Sequence, residues 1–393
     1  MATDTIRQPT RPSPWRDPAI RGILFQVLFV AAVAALGAFL VHNTLVNLRR
    51  QNIASGFGFL DREAAFGIGE SLIAYSPADT YARAFLVGLL NTLYVAALGI
   101  VLATILGTVM GIARLSRNWL ISKLAQVYVE TFRNIPLLLQ LFFWWGLLRE
   151  SAPAPRQAWQ PAPDVFVSNR GIAFPLPNPD PAYGWMALAF VAGIVGTIGI
   201  FRWARRRQTQ TGEQFPTGWV GLGMILGLPL AVFLLCGAPL TLDRPELRGF
   251  NFIGGHAVSP EFAALLLGLV IYTGTFIAEI VRAGILAVSW GQSEAAMALG
   301  LKPGHRMRLI VLPQALRVIV PPITSQYLSL TKSSSLAVAI GYPDLVSVAN
   351  TTINQTGQAV EGIAMIMAVY LTISLIISAL MNLYNRSVAL VER

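Results

Sequence analysis

The chain has 393 residues, 54% of them hydrophobic and only 12% charged, with mean hydropathy +0.59; a soluble domain carries about a quarter charged residues, so an ordinary water-soluble fold is excluded. A net charge of +10 would suit nucleic acid in a soluble protein, but here the basic residues flank long apolar runs and report membrane topology. A single cysteine, Cys236, excludes an internal disulfide and reads as a buried thiol, and His42, His256 and His305 are too scattered to form a metal site.

Residues 1–20, rich in Pro, Arg and Thr, read as a disordered tail. Eight apolar runs follow, at 21–41, 83–113, 125–148, 184–202, 216–238, 260–284, 316–341 and 360–385. Each approaches or exceeds the roughly 20 residues that a helix needs to cross the hydrocarbon. The first is too long for a signal-peptide core and reads as a retained anchor. The third is the weakest, because Arg133, Asn134 and Pro136 interrupt it. The fourth and fifth make a hairpin, 184–238. The connections 42–82 and 149–183 are long for a helical bundle; the second is proline-rich, and such loops either pack over a bundle or meet a partner. No phosphate-cradling GxxxxGK[ST] loop, nucleophile elbow, HExxH or carboxylate pair occurs, so no enzyme active site is expected.

With the N-terminus inside, the larger share of the 29 Lys and Arg residues falls on the cytoplasmic side, including Arg114, Arg117, Lys123, Arg202, Arg205, Arg206, Arg207, Lys302, Arg306 and Arg308. The pair Arg49–Arg50 is the exception. Both chain ends are then cytoplasmic.

Between the sixth and seventh runs lies EAAMALGLKPGHRMRLIVLPQAL, Glu294–Leu316. A first short helix, about Ser289–Leu299, opens on a candidate capping box, Ser289 to Gln292, with Glu294 in its first turn. Ala295, Ala296 and Ala298 keep its surface small, and Leu299 follows. Gly300 permits a left-handed turn, and Lys302-Pro303-Gly304 completes the break. A second short helix carries Met307, Ile310 and Val311 on one stripe, and Leu312-Pro313 marks the entry to the next span. Two readings stand: a shaped knob that docks on a protein, or an interfacial helix on anionic lipid with Arg306 and Arg308 at the headgroups.

Charges within spans are expensive and demand a reason. Lys332 sits midway along the seventh run, after Pro321 and Pro322, which should bend that helix. Gln326, Tyr327, Ser333, Ser334 and Ser335 lie near it. Its ammonium would meet a substrate carboxylate, or else backbone carbonyls between helices. Thr273, Thr275 and Asn91 are further polar candidates for a substrate path, although such hydroxyls often bond their own helix. Glu130 and Arg133, and Glu279 and Arg282, share i, i+3 spacing at the cytoplasmic ends of two runs. They would form an inter-helix gate or a static cluster.

The spacing of EAA, Gly300, Ile310 and Leu312-Pro313 resembles the EAA motif of ABC importer membrane subunits. Tyr128–Gln140, Tyr272–Arg282 and Leu330–Leu336 resemble the second, third and fourth core helices of polar amino acid permeases. Residues 55–94 are similar to the general L-amino-acid or glutamate/glutamine/aspartate/asparagine branch. One departure is Lys332-Ser333-Ser334-Ser335-Leu336, where relatives often carry an Asp after the Lys. The resemblance implies an all-α type I importer fold with a five-helix core at 83–148 and 260–393, which includes the coupling loop 289–316. The anchor 21–41 and the hairpin 184–238 are then additions, and 42–82, 149–183 and 239–259 read as periplasmic segments. It implies a permease subunit in a bacterial inner membrane that imports polar amino acids, acidic and amide ones foremost, by alternating access. It also implies a related chain as second membrane subunit, an ATPase dimer that carries the ATP and Mg, and a periplasmic binding protein. Glu294, Ala295, Ala296, Ala298, Leu299, Gly300, Met307, Leu312 and Pro313 would couple to the ATPase. An ion-coupled carrier acting without an ATPase is the alternative, although the paired repeats usual in such carriers are not evident.

Overall fold

A computed structural model describes residues 18–50 and 55–388. Both chain ends, and the expected tail up to residue 17, lie outside the described residues. Seven described helices are long and apolar enough to cross a membrane: Ile20–Thr44, Tyr81–Ala113, Pro181–Thr211, Thr217–Leu235, Pro260–Leu286, Pro303–Ile340 and Ala359–Asn385. Each answers one expected run; the eighth, 125–148, is split in two. The chain divides into two compact units, residues 1–94 with 343–393, and residues 95–342.

The first unit holds α1 (Pro18–Arg50), the start of α2 (Tyr81–Ala113), α11 (Leu345–Thr356) and α12 (Ala359–Val388). From residue 20 to residue 44 the side chains of α1 are exposed. The segment 55–80 is a folded loop, not a tether. Phe59 is buried edge-on against Tyr81, with ring centroids 5.9 Å apart. The Gly56 amide donates to Glu361 Oε1 at 2.6 Å, and Gln358 Nε2 donates back to the Gly56 carbonyl at 3.1 Å. Helix α11 went unread in the sequence. Asp344 caps it, accepting from the Ser347 amide at 2.9 Å, and Gly357 ends it at φ 73°.

In the second unit α7 (Pro260–Leu286) is the hub. Ser259 caps it by accepting from the Phe262 amide at 3.0 Å, with Pro260 and Glu261 in its first turn. It packs against α3 (Trp119–Asn134), α4 (Leu137–Gly146) and α10 (Leu312–Ser333). The core between them includes Ala103, Leu141, Leu265, Leu269, Ile277, Ala315 and Leu330. The interrupted run breaks where proline chemistry demands it. Pro136 has no amide hydrogen and forces Ile135 into extended backbone, φ −93° and ψ 126°. Two carbonyls freed by the break are recaptured by one side chain: Gln140 Nε2 donates to the oxygens of Phe132 (2.8 Å) and Ile135 (3.0 Å).

Helices α5 (Pro181–Thr211) and α6 (Thr217–Leu235) form the expected hairpin, with α5 running nine residues past its predicted end at 202. Their backbones touch at glycines: a Cβ on Gly193 would lie 2.7 Å from the Met224 carbonyl, and one on Gly221 would lie 2.7 Å from a Thr197 methyl. Cys236 is exposed after α6 rather than buried, because the apolar helix ends one residue before it.

The loops flanking this hairpin fold into strands that the sequence reading left as irregular. A four-stranded sheet runs β1 (Trp159–Ala162), β2 (Val165–Ser168), β3 (Gly171–Phe174) and then β8 (His256–Val258), with Ala173 opposite Ala257. β4 (Leu176–Pro177) pairs with β5 (Leu242–Asp243), and β6 (Glu246–Arg248) with β7 (Asn251–Ile253). Phe166 stacks on Phe252 at 4.5 Å, tying the four-stranded sheet to the last pair. The frequent prolines had argued for loop; they sit at the edges and ends of these short strands.

Candidate functional site

Helix α8 (Trp290–Ala298) follows α7 after three residues. Ser289 occupies the cap position, but its hydroxyl makes no cap bond, so the expected capping box does not form. Gln292 instead faces Gln314, whose Nε2 lies 3.4 Å away. Glu294 falls beyond the first turn, because the helix opens at Trp290. The C-terminal end is the specific part. The Gly300 amide donates to the Met297 carbonyl (2.9 Å) and the Leu301 amide to that of Ala296 (3.1 Å), with Gly300 at φ +69°. This is the Schellman arrangement, which needs a left-handed residue after the last helical one. Nothing else crowds Gly300, so backbone conformation alone asks for glycine.

Glu294, Ala295, Ala298, Leu299 and Gly300 are exposed, and Leu299 stands 80% accessible at the tip. Ala296 does not join them: it is buried, facing the turn at Met307–Val311 that α8 packs on. That turn corrects the expected second short helix. Pro303–Arg306 (α9), a wide five-residue turn at Met307–Val311 and α10 form one continuous run, and Pro313 sits inside its start. The wide turn relieves the clash that a proline ring makes with the carbonyl one turn back. Met307, Leu312 and Pro313 are exposed beside α8.

The four expected gate charges are not one network. Glu279 is bound by Arg282 at 2.5 Å on its own helix and by Arg114, the residue just after α2 and absent from the expected set. Among the described residues Glu130 accepts only from Gln126, 2.7 Å away on its own helix, and Arg133 makes no ion pair. Arg114 reaches Glu279 because α2 and α7 touch. A Cβ on Gly107 would lie 2.6 Å from Ile277 Cβ, and one on Gly111 would lie 2.6 Å from the Ala278 carbonyl. Gly107 and Gly111 stand four residues apart, the small-xxx-small spacing of close membrane-helix contacts. That signal was in plain sight.

Along α10, Pro322, Ser325, Ser329 and Lys332 are exposed on one stripe, while Ile319, Ile323 and Leu330 are buried on the adjoining face. The helix continues through Pro321 and Pro322. An exposed polar stripe on a spanning helix belongs against protein or water, not lipid. Lys332 has no acidic partner among the described residues. Ser325 and Ser329 were missed, and their helical spacing to Lys332 would have found them. The other path candidates divide. Gln326 and Ser333 are half-buried, and Ser335 donates to the Lys332 carbonyl at 2.7 Å. Tyr327 and Thr104 hydroxyls bond each other at 2.8 Å. Thr273 is buried, and Thr275 donates to its own helix at Tyr272, 2.7 Å. Asn91 is spent structurally: its Nδ2 donates to the carbonyls of Glu70 and Pro343, both at 2.9 Å.

The family model for the inner membrane component of binding-protein-dependent transport systems matches residues 215–390. The chain is 54% identical over 378 residues to the putative amino-acid ABC transporter permease protein YhdX of Escherichia coli (strain K12), covering 96% of each chain. It is 53% identical over 377 residues to the general L-amino acid transport system permease protein AapQ of Rhizobium johnstonii, covering 96% of this chain and 94% of that one. This chain belongs to the amino-acid ABC transporter permeases. A third relative, the glutamate/glutamine/aspartate/asparagine transport system permease protein BztB of Rhodobacter capsulatus, is 44% identical over 409 residues, covering 96% of each chain. The permease is thus an integral membrane subunit of an ABC transporter, as the EAA spacing implied, and the reading as an ATPase-independent carrier is set aside. Alignments of this length take in the α5–α6 hairpin as well as the helices around it.

Proposed function

We propose that the permease imports polar L-amino acids, acidic and amide ones among them, by alternating access, driven by a separate ATPase dimer that carries the ATP and Mg. The reading is supported by the names of the relatives and by one geometric feature: α8 presents Leu299 at 80% exposure on a turn locked by Gly300. A helix lying on lipid has no need of that lock. Nucleotide closure of the ATPase moves the groove that holds Glu294, Ala295, Ala298, Leu299, Gly300, Met307, Leu312 and Pro313. α8 passes the motion to α7 and α10, which open the path outward to a periplasmic binding protein.

In this scheme α2, α3–α4, α7, α10 and α12 form the transport core, and α1 and the hairpin are additions. Both chain ends lie in the cytoplasm of a bacterium, beneath its inner membrane. The α10 stripe faces a second, related permease subunit across the path, with Lys332 meeting a substrate carboxylate. Arg114, Glu279 and Arg282 are the charges that would break and re-form as the path opens.

The test is Gly300→Val. A β-branched residue held left-handed costs on the order of 1–2 kcal/mol or more, enough to unlock the turn but not to unfold the protein. Uptake should fall at least tenfold in vesicles carrying the complete transporter, while ATP hydrolysis and membrane abundance persist. Unchanged uptake at equal abundance would refute the coupling role.

A further inference from the structure

The tip of the α5–α6 hairpin carries four arginines in six residues, Arg202, Arg205, Arg206 and Arg207, and they are not equivalent. Arg207 is used up in building the tip. Its Nη2 lies 2.6 Å from Glu213 Oε2, and its guanidinium sits over the Trp203 ring at 5.4 Å. Trp203 in turn meets Phe215 edge-on, 5.4 Å between centroids. These contacts fix the turn 212–216, which Gly212 opens at φ +75°.

The other three do something else. At positions i, i+3 and i+4, Arg202, Arg205 and Arg206 share one face of α5. All three are exposed, and none has an acidic partner among the described residues. They begin one residue after Phe201, where the apolar part of the span ends, and Leu188, Val191, Val195 and Ile198 below them are exposed too. A helix sheathed in acyl chains up to Phe201 holds the next turn at the depth of the headgroups.

We infer that Arg202, Arg205 and Arg206 form a binding site for the phosphate of an anionic phospholipid. Three guanidiniums on one face suit phosphate oxygens, which arginine binds in a fork. Each basic residue near an anionic surface adds about fivefold to binding, so three should favour an anionic over a zwitterionic lipid by about a hundredfold. The site lies on a hairpin that packs chiefly on itself, so it anchors a part of the permease to the lipid rather than to the transport core.

Native mass spectrometry of the full-length permease in detergent, titrated with phosphatidylglycerol or phosphatidylcholine, tests this. The wild type should retain phosphatidylglycerol far more tightly, and Arg202→Gln/Arg205→Gln/Arg206→Gln should cut that preference at least tenfold. Arg207→Gln should leave most of it. The triple Lys variant keeps the charge and the topology, so it should retain the preference even if the Gln variant fails to insert. Equal retention of both lipids by the wild type overturns the inference. So does an undiminished preference in the Gln variant, or protection of the three arginines only when the ATPase is bound, which would assign them to that protein.

Discussion

Lys332 shows how little a single residue costs when it faces the right way. In hydrocarbon its charge would be prohibitive; on the exposed α10 stripe, one and two turns beyond Ser329 and Ser325, it has a polar route. Lys332→Gln should lower amino acid uptake by about tenfold or more, the worth of one charged hydrogen bond, with ATP hydrolysis unchanged; uptake at the wild-type rate would take Lys332 out of the path. Asp344 illustrates the opposite situation. It is fully buried at the cap of α11, and burial pushes its carboxyl up to about 7, while the Ser347 and Val346 amides and the Tyr370 hydroxyl pull it down. The folded state therefore favours the protonated acid. Its contribution to stability is complete below about pH 4, the ordinary range for the unfolded chain, and is lost as pH rises through about 7. Thermal melts should show the permease more stable at pH 5 than at pH 8, and Asp344→Asn, which keeps the cap acceptor, should shrink that difference.

Among the elements, the contact of α2 with α7 decides the charge cluster. Gly107→Val puts methyls into Ile277 and into the Gly274 carbonyl, which lies 2.8 Å from the position of a Cβ. Such overpacking costs typically 1–3 kcal/mol, so the melting temperature should drop. A disulfide engineered between the two helices by Arg114→Cys with Glu279→Cys should also form less readily in the Gly107→Val background than with Gly107 kept. An equal melting temperature would mean that the helices do not meet there. The elements also show what the sequence could and could not say. Spans were legible because apolar length is a local property. Pro136 was legible as a weak point, but its consequence, two helices stitched by Gln140, depended on a side chain that reads as an ordinary polar residue in an apolar run. The gate was mis-assembled because i, i+3 spacing reports neighbours on one helix and says nothing of which helix stands opposite. Strands β1–β8 were illegible for the same reason: each is two to four residues long, and β3 finds its partner β8 more than eighty residues later.

For the molecule as a whole, that distant pairing makes the hairpin separable. Pro177 faces Leu242 in the β4–β5 ladder, and the Asn178 amide donates to the Thr241 carbonyl at 2.9 Å, so the excursion closes on itself at its base. Replacing residues 179–240 by an Asn-Gly turn, the favoured two-residue hairpin connection, should leave a membrane-inserted permease with its melting transition retained. Loss of the protein from the membrane would show the hairpin to be part of the fold.

The same sheet has a further consequence. Strand β8 ends at Val258, Ser259 caps the next element, and α7 then runs 27 residues without interruption before α8 begins. At about 1.5 Å per residue this is a rod of roughly 40 Å, joined at one end to the four-stranded sheet and at the other, through residues 287–289, to α8 and its Gly300 turn. In the topology proposed above, a load on the sheet from outside and one on α8 from inside would meet on this one helix, which would couple the two faces of the bilayer through a single stiff element.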